Sequence, residues 1–320
     1  RQRGIAIERP LAVKVKTSAR QNGRADRGLA QDLALASWFH SNTYRSSDFD
    51  VARLLETKHL TISLILTDEG YTSESLRDLA WLRHSGLLDE VLVINPSPAT
   101  DGMLAPAAIH RAEELMPHFG PIRGYGDILW RGLSAARGQL IVVLDPAREG
   151  NIVDNIFGLL GPLMGREDLA LVKGFGSTPD PLSELVARPL INLYHPKLAG
   201  FTHPLCMNFA GRRQLLRSLP FPVGPGVNIS LLLDAAEHSG VGALAQSHLE
   251  GSSAISYRND SEVAYAIQSA AASRAPQSST RGPVPGPLFL PGPESLATRR
   301  VPVEERPPLE SLAETSSGSL

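Results

Sequence analysis

A single carboxylate, Asp145, ends the run Leu140-Ile141-Val142-Val143-Leu144 and is followed by Pro146-Ala147-Arg148. Five consecutive apolar residues after Gly138 read as a strand buried on both faces, the form taken in a parallel sheet. Open α/β sheets place ligands beyond the carboxyl ends of their strands, so Asp145 is set to face a ligand. The structural alternative has Asp145 capping the turn before Asn151. The lone Cys206 cannot form an internal disulfide or a cysteine metal site. Its neighbours Pro204, Leu205 and Met207 make a packed thiol a better reading than a nucleophile. His203 and His248 read as packing or surface residues. No Gly-rich phosphate loop follows the first strand (Thr67-Asp68-Glu69-Gly70-Tyr71-Thr72), which counts against a nucleotidyltransferase or another nucleotide binder of that kind.

Strands and helices must alternate to carry Asp145. The pattern predicts helix from Leu29, strand at 61–67, helix at 73–84, strand at 91–94, helix at 106–116 and helix from Gly124. After the Asp145 strand come helix at 151–163, strand at 169–173, a helix begun by Ser183 as N-cap, helices at 214–219 and 227–238, strand at 243–249 and a last helix at 262–272. This order predicts an α/β fold with a doubly wound, mostly parallel sheet. Residues 1–30 form a basic leader without periodicity, and 273–320 a Pro/Ser/Gly-rich tail unable to support a core. The globular domain is 31–272, divided into 58–150 and 151–272. Net charge of -2 argues against a nucleic-acid partner. No apolar run reaches a membrane span, and with one cysteine a reducing cytoplasm is expected.

Several segments carry a resemblance. They are Ser183-Glu184-Leu185-Val186-Ala187-Arg188-Pro189-Leu190, Leu215-Leu216-Arg217-Ser218-Leu219-Pro220-Phe221 and Gly224-Pro225-Gly226-Val227-Asn228-Ile229-Ser230. Trp38-Phe39, Gly124-x-Gly126 with Trp130, Arg137-Gly138, Ala245-Gln246 and Arg258-Asn259 continue the register. From Trp38 to Asp260 the chain resembles the glucosyl-3-phosphoglycerate synthases of actinobacteria, glycosyltransferases of the GT-A fold. The resemblance implies a nucleoside-diphosphate sugar as donor, transfer to 3-phosphoglycerate with retention, a divalent Mg or Mn ion against the diphosphate, and a homodimer.

The chain departs from that family where chemistry is done. The ion's expected ligands, the second Asp of Asp-x-Asp and a His before Arg-Asn, correspond to Ala147 and Tyr257, so metal binding is not expected. The family's Lys in Gly-Lys-Gly-Glu is Tyr125, and its Asp-Ser-Gly-Ser-Thr is Asn95-Pro96-Ser97-Pro98-Ala99. Gly-Arg-Val-Thr is Asp180-Pro181-Leu182-Ser183, which removes an Arg suited to phosphate and adds an acid. Asn208 and Asn228 stand for carboxylates. The resemblance assigns donor contacts to Asp145, Asn95, Gly126 and Arg258, with Asp145 accepting from a ribose or sugar hydroxyl. Acceptor contacts fall to Ser183, Arg188 and Asn208, and catalytic positions to Arg148, Lys173 and Asn228. The cations Arg148, Lys173, Arg188 and Arg258 would face an anion. Alternatively Arg188 pairs with Glu184 one turn away and Lys173 is a solvated strand end. Two functions follow: a metal-independent glycosyltransferase with a small acceptor other than 3-phosphoglycerate, or a non-catalytic scaffold or regulatory subunit retaining the fold.

Overall fold

The apolar runs anticipated at 62–66, 91–94 and 140–144 become buried strands, and helices cover both their faces. A computed structural model describes residues 29–67, 72–94, 108–144, 151–177, 181–250, 260–275, 288–291, 296–299 and 304–316. In chain order, helix α1 (Leu29–Asn42), strand β1 (Thr43–Arg45) and helix α2 (Val51–Thr57) come first. Strand β2 (Ile62–Leu66), helix α3 (Ser73–His84), strands β3 (Glu90–Ile94) and β4 (Ala108–His110), helix α4 (Tyr125–Ala135) and strand β5 (Leu140–Leu144) follow. Next are α5 (Ile152–Gly165), β6 (Leu171–Phe175), α6 (Arg188–Tyr194), β7 (Phe209–Arg212) and α7 (Arg213–Ser218). Then come β8 (Phe221–Pro222), α8 (Val227–Ser239), β9 (Leu244–His248) and α9 (Asp260–Ser273). Strands β10 (Leu288–Pro291) and β11 (Leu296–Arg299) pair with each other, and β12 (Glu305–Arg306) precedes α10 (Leu309–Ser316).

Among the described residues, eight strands form one sheet in the order β1-β9-β6-β7-β5-β2-β3-β4. Neighbours are parallel except where β7 runs against β5 and β6. The expected doubly wound α/β sheet is therefore the observed one. From β2 the chain builds outward through β3 and β4, then returns to lay β5 on the opposite side of β2, so the strand order reverses between β2 and β5. Side chains alternate across the sheet. Leu140, Val142 and Leu144 join the layer of α2, α3 and α5, whereas Ile141 and Val143 join that of α4, α8 and α9. None of the five is more than 3% exposed, and each such burial stabilises by about 1.5–3 kcal/mol. Asn151 itself caps α5, its Oδ1 accepting from the backbone N–H of Val153 at 2.9 Å.

Three expectations are corrected. The helix expected at 106–116 is absent from the described residues 108–116: Ala108–His110 is a strand in parallel register with Leu92–Ile94. Beyond it the carbonyls of Ala112, Leu115 and Met116 turn inward to accept from the Arg131 guanidinium. That buried cation satisfies groups which a helix would have bonded internally. Ser183 is not an N-cap; it is fully buried inside a π-helical turn, Ser183–Ala187, with Leu182 already helical before it. The tail reading fails over 304–316. There β12 pairs with β8, Trp130 Nε1 donates to the Pro307 carbonyl at 2.9 Å, and Leu309 enters the core. Arg306 reaches Asp127 on α4, donating to its Oδ2 at 2.7 Å and Oδ1 at 3.0 Å.

Candidate functional site

The reversal between β2 and β5 opens the crevice where sheets of this kind hold ligands. Asp145 follows directly on Leu144, the last residue of β5. Asn95, Asp145, Ala147, Arg148, Tyr257 and Arg258 lie outside the described residues. The structure does describe Gly126, Lys173, Ser183, Arg188, Asn208 and Asn228.

Gly126 sits in the first turn of α4, where that helix meets the β8–α8 connection. A Cβ built there would stand 1.9 Å from the Pro222 carbonyl oxygen and 3.1 Å from Val227 Cβ. Gly124, just before the helix, has φ +147° and the same close approach, its Cβ falling 2.7 Å from the Val223 carbonyl oxygen. These two glycines let α4 lie against the segment that launches α8. What the structure gives Gly126 is a packing requirement.

Lys173 is 1% exposed rather than a solvated strand end. In the ladder it stands between Phe209 on β7 and Gln246 on β9. Alternation puts it on the face of Leu171, and its Nζ donates to the Asn228 carbonyl at the start of α8, 3.1 Å away. Asn228 is 2% exposed, and its side-chain Oδ1 has no hydrogen-bond partner among the described residues. A buried amide oxygen left unmade costs more than its bond would contribute, so this is a place where a ligand donor would be stabilising. Asn208, 1% exposed, holds β6 through its carbonyl, which accepts from Gly174 N–H at 2.8 Å.

Arg188 lies at the start of α6. It donates to both Glu184 carboxylate oxygens, at 3.0 and 2.6 Å, and to the Thr202 carbonyl at 2.8 Å. The i,i+4 pairing anticipated from sequence is thus present, and the Arg188 hydrogen bond holds Glu184 below the usual carboxylate range. Arg188→Ala is expected to cost stability by about 1 kcal/mol or less, the worth of a half-exposed pair; urea unfolding measures it.

Beside these residues is a cluster around His203 and His248, two histidines expected to be packing or surface residues. Phe175, at the carboxyl end of β6, meets the rings of His203 and His248 at centroid distances of 6.3 and 5.3 Å. His203 Nδ1 accepts from Gly176 N–H, and His248 Nε2 pairs with Ser177 Oγ at 2.9 Å. Buried Gln246 accepts from Thr202 N–H and donates to Thr43 Oγ1 and the Gly200 carbonyl, tying the 200–202 loop to β1 and β9. A cavity of about 610 Å³ opens at this end, with Phe39, Tyr44, Arg45, Phe175, His248 and Glu250 in its wall. The available signal was position: Phe175 and His248 each end a strand on the ligand side of the sheet. Nearby, Asp154 in the first turn of α5 has its carboxyl raised by burial and by the charge of Glu250.

The positions at which the resemblance expects the divalent ion's ligands, Ala147 and Tyr257, lie outside the described residues. Ala147 has no ligating atom and a neutral Tyr257 phenol is a poor partner for a hard cation. Among the described residues no three His, Cys, Asp or Glu side chains come together.

A curated relative, the glucosyl-3-phosphoglycerate synthase of Petrotoga mobilis, is 34% identical over 241 residues, covering 69% of this chain and 74% of its own length. The chain belongs to the glucosyl-3-phosphoglycerate synthase family. Among solved structures, mannosyl-3-phosphoglycerate synthase from Rubrobacter xylanophilus superposes with TM-score 0.76 at 30% identity, covering 87% of this chain and 98% of that one. Glucosyl-3-phosphoglycerate synthase from Mycobacterium tuberculosis, in complex with Mn2+, uridine-diphosphate and phosphoglyceric acid, gives TM-score 0.69 at 31% identity, covering 82% and 95%. No family model matches. The match to these solved structures extends over most of the chain, so the glucosyl-3-phosphoglycerate synthase family shares its fold. No helix among the described residues is long and apolar enough to cross a membrane.

Proposed function

We propose that this chain transfers a sugar from a nucleoside-diphosphate sugar to a small acceptor other than 3-phosphoglycerate, and does so without a divalent ion. The observation that carries the reading is the switch point between β2 and β5, with Asp145 and Arg148 supplied directly after β5. Asp145 accepts from a sugar or ribose hydroxyl. As the bond from the anomeric carbon to the diphosphate breaks and the bond to the acceptor oxygen forms, negative charge grows on the leaving oxygen. Arg148 can donate two parallel hydrogen bonds to that diphosphate, with Arg258 or Lys173 in support. Donors preorganised toward developing charge are worth about 10²–10³ in rate each. The change of acceptor is supported by Asp180 and Pro181 in the segment where the family carries Arg. It is supported also by the carboxylates of Asp154 and Glu250 at the ligand-side end of the sheet, which repel a phosphorylated acid.

The second reading, a non-catalytic relative, is favoured by one observation: the described cations at the site are committed to the scaffold, Lys173 to the Asn228 carbonyl and Arg188 to Glu184 and Thr202. The experiment is a binding and turnover comparison between the native chain and Arg148→Ala. On the first reading Arg148→Ala weakens UDP-sugar binding at least tenfold and abolishes turnover, and 3-phosphoglycerate is no better than water as acceptor in the native chain. Efficient glucosyl transfer to 3-phosphoglycerate would overturn the claimed acceptor change. Failure of every nucleotide sugar to bind leaves the scaffold reading.

A further inference from the structure

The opposite end of the sheet carries a cluster of charge that sugar transfer leaves unused. Because β7 runs antiparallel, Arg212 and the first residues of α7 emerge beside the starts of β2 and β5. A cavity of about 360 Å³ lies there, with Gln139, Arg213, Gln214, Arg217 and Glu310 in its wall. A neighbouring cavity of about 340 Å³ shares Arg212, Gln214 and Glu310.

Arg212 is already used. Its guanidinium donates to the carbonyls of Leu169 and Glu167 at 2.7 and 3.0 Å. Arg213 and Arg217 are different. They stand one helical turn apart, a spacing at which like charges repel. The Arg213 Nε–H is shielded from solvent and has no acceptor, and neither guanidinium makes an ion pair among the described residues. Burial and the Arg213 charge push Arg217 below its ordinary value, with Glu310 offsetting part of that. Gln139 Oε1 accepts from the backbone N–H and the hydroxyl of Thr61, which leaves its amide NH₂ to donate into the same space.

We propose that Arg213 and Arg217, with the amides of Gln139 and Gln214, bind a phosphate-class anion, either inorganic phosphate or the phosphoryl group of a small metabolite. Two guanidinium forks and two amide NH₂ groups outnumber the one carboxylate in the wall, Glu310, and suit a dianion with several acceptor oxygens. Glu310 makes no ion pair with Arg213 or Arg217 among the described residues, so both forks remain to meet an anion. The site is separate from the ligand crevice: β2 and β5 are each five residues long, roughly 17 Å at the usual rise. It does not depend on the sugar-transfer reading.

The test is thermal unfolding of the full chain against inorganic phosphate, and separately glycerol phosphate, with ionic strength held constant by chloride. An anion bound only by the folded state raises the midpoint in proportion to the logarithm of its concentration once that exceeds the dissociation constant. The rise should appear in the native chain and vanish in Arg217→Gln and Arg213→Gln, whose midpoints without phosphate equal or exceed the native one because the like-charge contact is gone. A response to phosphate alone assigns the free ion; an equal response to the ester assigns a phosphoryl group. Glu310→Gln, at an exposed position, removes the competing carboxylate and should tighten phosphate binding by severalfold in calorimetry. No rise in the native chain, a rise that survives both arginine substitutions, or weaker binding in Glu310→Gln would each overturn the proposal.

Discussion

Replacing Arg306 by Met is expected to lower the unfolding free energy by about 3 kcal/mol, although it lies far outside the domain read from sequence. Asp127 is completely buried and is held by two cations, Arg131 from its own helix at 3.1 Å and Arg306 at 2.7 Å. It also accepts from the Arg123 backbone N–H at 3.1 Å, so one carboxylate organises the start of α4. Removing one partner of a buried pair typically costs about 3–5 kcal/mol because the remaining charge is uncompensated. The low end applies since Arg131 stays. In a domain of this size the midpoint of thermal unfolding should fall by roughly 5–10 °C. A change below about 0.5 kcal/mol would mean that 304–316 rests on the surface without supporting it.

The same carboxylate predicts a pH dependence. Burial alone would raise the Asp127 carboxyl, but hydrogen bonds from Arg306 and Arg131 outweigh it and hold the group below its ordinary value. A depressed folded-state value contributes stability that is fully present above the unfolded value, and that is lost as pH falls through the folded one. The native chain should therefore lose stability as pH drops below about 4, and Arg306→Met should show a shallower loss, because Asp127 keeps only Arg131. Chemical denaturation between pH 2.5 and 6 measures both slopes.

The second large effect is expected at Gly126. Its added methyl in Gly126→Ala meets the Pro222 carbonyl at 1.9 Å, and that neighbour is backbone, so no rotamer change relieves the clash. Helix α4 must lift from the β8–α8 connection, at a cost of about 3 kcal/mol or more, the upper end for overpacking. Gly165→Ala is the control: nothing lies within 4 Å of its Cβ and its backbone is not left-handed. It should be neutral or stabilising by up to about 1 kcal/mol. Comparable destabilisation by both substitutions would show that the contact between α4 and β8 is not what demands glycine.

The parts legible from sequence are those where one periodicity decides the outcome. Leu140–Leu144, Ile62–Leu66 and Val227–His238 are long enough and apolar enough that few alternatives compete. The fold class followed from their alternation, and the family from the Glu184–Leu190 string. What escaped depends on partners far along the chain. Residues 304–316 look like the rest of the Pro-rich tail until Arg306 is matched to Asp127, 179 positions away. The helix expected at 106–116 was lost to Arg131, whose guanidinium collects the carbonyls of that stretch. Ser183 had the residue type of a cap but lies within the helical run. At the site, Arg188–Glu184 was readable because it is local, whereas the burial of Lys173 is set by its ladder position between Phe209 and Gln246. Gln246, His203 and Phe175 acquire meaning only once the register brings β6 and β9 side by side.

The central proposal is that this family member meets the diphosphate without a metal ion, because Ala147 and Tyr257 are the residues at the positions where the family resemblance expects the ligands. It is tested most directly by calorimetric titration of the full chain with UDP-glucose, once with a chelator and once with saturating Mn2+. The account predicts binding with the same dissociation constant, within a factor of about two, in both titrations. Binding that appears only with Mn2+, or tightens more than tenfold, about 1.4 kcal/mol, would contradict it.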